Sequence, residues 1–187
     1  MKKGSLIIFP TDTIYGIAAK INDNEGINKI YELKKRDFSK PLSVLIADLS
    51  QVRNFVKINS ISRKLMNYFW PGPLTLILKT TSFYKKKNKE KNLGIRQPKN
   101  LLALKLLKKY GPLKTTSVNI SGLPPLNNYK VICQKYEKKV DYIFYNSDKN
   151  LSKLPSTVLD LQFNNNFKIL REGSITKKMI YKVIYNY

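Results

Sequence analysis

The sequence has no histidine and a single cysteine, Cys133. Those absences exclude a disulfide framework within the chain, a Cys/His metal site and the Ser-His or Cys-His nucleophile pairs. Glycine is also scarce, and none of the 8 is followed by lysine. There is therefore no Walker A loop, and no G-x-G-x-x-G fingerprint either. Long apolar runs are missing. About four apolar residues precede Pro10, too few for the apolar core of a signal peptide, and nothing approaches the roughly 20 residues of a membrane span. A cytoplasmic protein with no membrane contact is the expectation.

Acidic residues are few, 12 against 35 basic ones, for a formal charge of +23. A charge of that size draws polyanions, because Lys and Arg release counterions from nucleic acid. Here the excess is a blanket one. Only Arg36, Arg53, Arg63, Arg96 and Arg171 are arginines, so 30 of the basic residues are lysine, amid abundant Asn, Ile and Tyr. Such a bias reflects codon usage as readily as nucleic-acid binding.

A chain of 187 residues with 42% hydrophobic content suits one domain spanning 1–187 with a sizeable core. Short β-rich runs alternate with helical ones, which predicts a mixed α/β fold. Strands are expected at "SLIIF", "IYGIAAKI", "LSVLIA" (42–47), "LTLILKT" (74–80) and "LGIRQP" (93–98), then at 141–146, 156–162 and 167–171. Helices are expected over 25–36, from Asn100 to Gly111-Pro112, and over 128–139 and 176–185. "YKKKNKEKN" (84–92) reads as a solvated, mobile loop.

Several polar residues fall at expected strand ends, where open α/β sheets bind ligands. In "ELKKRDFSKPLSVLIA" (32–47), Lys34 and Arg36 lie about 200° apart on a helix, so they converge with Lys40 only if the helix ends among them. Pro41 supplies a reason, because the residue before proline is pushed out of the α region; Lys40 is expected to start the strand. Three cations could then wrap one phosphate, or simply complement a helix C-terminus. In "PTDTIYG" (10–16), Thr11 and Thr13 are expected to point one way and Asp12 the other. Ser117 and Asn119, two apart in "TTSVNISG", should share a side. Arg96 stands alone in an apolar strand and needs an anionic partner, either a ligand or a buried Asp. "PSTVLDL" and "ILREG" put Ser156, Thr157 and Arg171 on a late strand pair.

Read in order, "PTDTIYGI", "KKRDFSKPL", "WPGPLTLIL", "GIRQP", "TTSVNISG", "STVLDL" and "ILREG" resemble the YrdC family of threonylcarbamoyl-AMP synthases, over about residues 5–175. The resemblance implies an α+β fold: a twisted, open mixed sheet flanked by helices, with a concave basic ligand-binding face. It implies a nucleotidyltransferase that condenses L-threonine, bicarbonate and ATP into threonylcarbamoyl-AMP and pyrophosphate, with no protein nucleophile. A transferase complex would then modify the adenosine next to certain tRNA anticodons, and tRNA or double-stranded RNA contact is a further implied possibility. By motif, Thr13, Arg96, Thr115 and Ser156 would hold L-threonine. Lys34, Arg36, Lys40, Ser117, Asn119, Pro125 and Arg171 would hold ATP. Mg²⁺ is expected with the triphosphate and needs few protein ligands. The alternatives are an RNA-binding module on the same fold, or a paralogue with another small substrate. Three positions depart from the family pattern. Leu45 stands where some members carry histidine, Gln97 interrupts "RVP", and Glu172 puts a negative charge beside Arg171. The additional C-terminal domain of longer relatives is expected to be absent.

Overall fold

The computed structural model describes residues 1–146, 152, 154–162 and 167–185. Nine strands among them form one mixed sheet: β1 Ile7–Phe9, β2 Gly16–Lys20, β3 Ser43–Leu45, β4 Leu74–Lys79, β5 Asn92–Arg96, β6 Leu113–Ser117, β7 Tyr142–Ile143, β8 Thr157–Asp160 and β9 Lys168–Arg171. Their order across the sheet is β7-β1-β2-β6-β3-β5-β4-β8-β9. Strands β1 and β7, β3 and β5, and β4 and β8 pair in parallel; the other neighbours are antiparallel.

Among the described residues six α-helices flank the sheet: α1 Asn24–Lys34, α2 Ser60–Phe69, α3 Ser82–Asn88, α4 Leu101–Tyr110, α5 Tyr129–Tyr136 and α6 Lys177–Tyr185. The period-2 alternation of the strands decides what each face does. On one face, Leu74, Leu76 and Leu78 of β4, Ile95 of β5 and Leu159 of β8 pack with Leu65 and Met66 of α2 and Ile180 of α6. On the same face, Ile8 and Ile17 pack with Ile30 of α1 and Ile132 of α5. Each fully buried Leu or Ile removes enough apolar surface from water for about 1.5–3 kcal/mol, so this layer is the main stabilising one.

The opposite face is only half covered. Helix α4 seats Ala103, Leu106 and Leu107 on Ile7, Phe9, Ala18, Leu45 and Leu113. Beyond it, the alternate residues of the central strands are small or polar: Thr115, Ser43, Gly94 and Thr75. That exchange of apolar for polar side chains leaves an open, concave stretch of sheet.

Three expectations need correction. Residues 84–92 are not a solvated loop throughout. Thr81 caps α3, Tyr84 is 1% exposed, and its hydroxyl donates to Glu90 Oε2 at 3.0 Å, while Glu90 pairs with the buried Lys114 of β6. The lysine run hid a single inward aromatic. Helix α2 was not foreseen, although Asn59 and Ser62 form a reciprocal capping box ahead of Leu65, Met66 and Phe69. Lys40 does not open a strand: its N–H closes a turn onto Asp37 O at 3.0 Å, and β3 begins three residues later.

Candidate functional site

A cavity of about 400 Å³ occupies the uncovered stretch of sheet. Ligand-binding residues were expected at strand ends, but this hollow lies mostly on the sheet face, crossing β6, β3, β5, β4 and β8. Seven of the expected residues line it: Thr13, Arg36, Arg96, Thr115, Ser117, Ser156 and Arg171. Lys34, Lys40, Asn119 and Pro125 stand outside that lining.

Arg96 anchors one end. Its strand pairs with β3 opposite Leu45, placing the guanidinium on the cavity face, where it is 5% exposed. Nε donates to Gly72 O at 3.0 Å, Nη1 to Thr13 Oγ1 at 2.8 Å and Nη2 to Asp12 Oδ1 at 2.5 Å. The anion demanded by a buried Arg is thus Asp12, whose Oδ1 also accepts from the Lys99 N–H at 2.9 Å. Thr13 and Asp12 therefore converge on one group rather than pointing apart, because β1 ends at Phe9 and the chain bends through 12–14. Burial, opposed by Asp12, lowers the Arg96 pKa, with Arg171 adding to the lowering.

The hydroxyl protons at this end have defined directions. Thr11 Oγ1 donates to Ile14 O at 2.8 Å, so its 3.0 Å contact with Thr13 Oγ1 is one in which Thr13 donates. Thr13 receives from Arg96 and gives to Thr11, so its proton is not available to the cavity. Across the sheet, Ser156 Oγ shares a 2.8 Å hydrogen bond with Thr75 Oγ1 and accepts from Arg171 Nη2 at 3.2 Å. Arg171 Nε also donates to Ser156 O at 3.0 Å; the residue is exposed overall, and partial desolvation of the guanidinium against the cavity wall lowers its pKa. Gly173 permits this closeness, since a Cβ there would lie 2.1 Å from Pro155 O. Glu172 turns away from the cavity and accepts from the Lys177 N–H at the start of α6.

The other end is a loop tied to itself. Helix α1 stops at Lys34, with Lys35 in the left-handed region at φ 48° and its N–H on Glu32 O and Tyr31 O. Arg36 then folds back, Nε donating to Lys40 O at 2.9 Å and Nη2 to Pro41 O at 3.2 Å. Tyr31 stacks on Phe38 at 4.5 Å between ring centroids and donates its hydroxyl to Lys40 O at 3.2 Å. The helix does end among the three cations, as the proline implied, yet they do not converge. Lys34 is 1% exposed and points into the wall, and only Arg36 of the three lines the cavity.

Sequence reasoning passed over Ser43, Thr75 and Asp160, which also line the cavity. Ser43 and Thr75 are marked by being polar at an alternate position of a largely apolar strand; Asp160 closes a strand that also carries Thr157. Among the described residues Asp160 is the one carboxylate in the lining, its oxygens accepting from Gln162 N at 3.0 Å and Gln162 Nε2 at 2.9 Å.

Residues 1–173 match the sequence profile of Sua5/YciO/YrdC proteins, described under telomere recombination. The chain belongs to the Sua5/YciO/YrdC family. It is 32% identical to the threonylcarbamoyl-AMP synthase of Bacillus subtilis over 189 residues, covering 98% of this chain and 54% of that one. The crystal structure of Pyrococcus abyssi Sua5 complexed with L-threonine superposes with a TM-score of 0.87 at 31% identity, over 97% of this chain and 54% of that one. Escherichia coli YciO superposes with a TM-score of 0.82 at 28% identity, over 97% and 87%. The chain thus spans about half the length of the first two relatives and most of the third. The open mixed sheet with its flanking helices is the fold of these Sua5 and YciO structures. No helix among the described residues is long and apolar enough to cross a membrane.

Proposed function

We propose that the chain is an L-threonylcarbamoyladenylate synthase, converting L-threonine, bicarbonate and ATP to threonylcarbamoyl-AMP and pyrophosphate. The observation that carries this is the Sua5 relative solved with L-threonine on the same fold, read with the half-open cavity around Arg96. Three of the guanidinium's five N–H groups are engaged internally, which leaves two for the amino acid's carboxylate. Thr13, its proton spent on Thr11, suits the amine or hydroxyl rather than the carboxylate. Such a placement holds the amine while its nitrogen bonds to the bicarbonate carbon and water leaves. A carbamate oxygen then attacks the α-phosphorus, and the bond to the β-phosphate bridge breaks.

That reaction needs position and charge neutralisation rather than a protein nucleophile. Arg36 and Arg171 are the cavity's other cations, and with Lys40 on the adjoining turn they are the groups we assign to the phosphates. Mg²⁺ would arrive as the counter-ion of the triphosphate; the single lining carboxylate, held by Gln162 at both oxygens, suits a metal bound chiefly by phosphate and water. Delivery of the product to a tRNA-modifying transferase in the cytoplasm follows from the same reading.

The test is pyrophosphate release. It should require L-threonine and bicarbonate together, and Arg36→Ala should lower kcat/KM for ATP about 10- to 100-fold, the loss expected for a charged hydrogen bond. Release that ignores threonine overturns the proposal. The likeness to YciO favours a second reading, a paralogue for another small molecule, and release supported by a different amino acid or amine selects it.

A further inference from the structure

Among the described residues Lys34 is the least exposed cation, and the reaction above makes no use of it. Its ammonium carries three N–H groups, and three oxygens receive them: Ser117 O at 2.6 Å, Asn119 O at 2.7 Å and Asn119 Oδ1 at 2.8 Å. Nothing is left over for a phosphate. Its backbone carbonyl takes the Ser121 N–H at 2.8 Å, so the residue grips the segment after β6 from both ends.

Asn119 is equally full. Because Lys34 only donates, the atom it meets must be the amide oxygen, and Nδ2 correspondingly gives its two hydrogens to Ile120 O at 3.0 Å and Leu123 O at 2.5 Å. The second lone pair of Oδ1 accepts from Ser117 Oγ at 2.6 Å. The Ser117 proton is thereby spent inward. Of the three residues only Ser117 lines the cavity, and towards it the hydroxyl offers lone pairs alone.

We propose that Lys34 is a positioning residue: through Asn119 it fixes the Ser117 hydroxyl as an acceptor at the cavity wall, so that Ser117 receives a donor of the nucleotide, a ribose hydroxyl or an adenine amine, and not a phosphate oxygen. The proposal rests on the synthase reading for the identity of the nucleotide, but the relay itself does not. A phosphate at Ser117 would bring acceptor against acceptor and would require the Lys34–Asn119–Ser117 chain to break.

The experiment is a double-mutant cycle on binding of a non-hydrolysable ATP analogue, read by calorimetry on folded protein, with L-threonine binding as the internal reference. Lys34→Met should weaken analogue binding about tenfold or more and leave threonine binding within about twofold. In a Ser117→Ala background the same substitution should cost markedly less, because the hydroxyl it orients is gone. Equal losses in both backgrounds overturn the relay, as does a parallel loss of threonine affinity, which marks a merely structural lysine. Asn119→Ala cycled against Ser117→Ala interrupts the same chain and gives the same decision if Lys34→Met does not fold. The acceptor assignment has its own readout. The affinity difference between triphosphate and nucleoside alone should survive Ser117→Ala; if that difference collapses, Ser117 binds phosphate and the assignment falls.

Discussion

The two ends of the cavity are built on opposite principles. At the Arg96 end the main polar groups are pinned from outside their own segments: the guanidinium by Asp12, Thr13 and Gly72, and Ser156 by Thr75 and Arg171. At the Arg36 end the cation is held by carbonyls of its own turn, Lys40 and Pro41, and the Lys40 side chain is exposed. A rigid, internally neutralised end suits a small amino acid whose carboxylate, amine and hydroxyl must be oriented together. A self-contained loop of cations suits a triphosphate, whose charge must be followed as pyrophosphate departs. Preorganisation is thus concentrated where the ligand is small, and compliance where the charge changes.

The sharpest way to break that contrast is Asp12→Ala. It leaves Arg96 buried without its anion, which for a buried pair costs about 3–5 kcal/mol of stability. Arg36→Ala, in a half-exposed turn, should change stability by no more than about 0.5 kcal/mol while impairing ATP use. Urea unfolding midpoints of the two variants give the comparison. Equal losses would mean that the ends are built alike.

How far the sequence discloses this design follows the same division. The core strands are readable because the alternation in "LTLILK" and "NLGIR" serves a buried face. Arg96 announces itself as a charge in need of a partner, but its partner is not deducible: Asp12 turns towards it only because β1 ends at Phe9 and the next residues bend. Lys34 is harder still. A lysine two residues before Arg36 looks like one more cation of a basic cluster; Pro41 signals that helix α1 ends nearby, but nothing in the pattern says that the ammonium is aimed at the end of β6. Tyr84 is lost in a lysine run for the same reason. Local pattern reports which face a residue is on; it does not report which distant carbonyls meet it there.

An effect of intermediate size separates the relay from the rest of the loop. Burial, and then the neighbouring Arg36, hold Lys34 down from 10.5 to about 8. Below that pH the ammonium satisfies three acceptors; above it the amine has two N–H groups for three oxygens, and the grip on Asn119 loosens. Analogue affinity should therefore fall about three- to tenfold between pH 8 and 9 in the wild type and stay flat in Lys34→Met. Stability supplies the control through its sign. With the folded pKa below the free value, the unfolded chain holds more protons between 8 and 10.5, so this residue's contribution to stability rises with pH in that window. Affinity lost while the melting temperature holds or rises is the relay opening; affinity and melting temperature falling together is unfolding.

The smallest effect concerns the boundary of the phosphate end. Glu172 adjoins Arg171 in the chain, and a carboxylate beside a triphosphate would weaken binding; its neutralisation would then improve ATP affinity. In the structure Glu172 accepts the Lys177 N–H at 3.3 Å, at the first residue of α6, outside the cavity lining. Its charge serves the helix N-terminus, where an exposed carboxylate contributes about 0.3–1 kcal/mol at low salt. Glu172→Gln should therefore lower stability by at most about 0.5 kcal/mol, less still in high salt, and leave KM for ATP within about twofold. A clear gain in ATP affinity instead would place Glu172 at the phosphates and carry the phosphate site past Arg171 into the turn before α6.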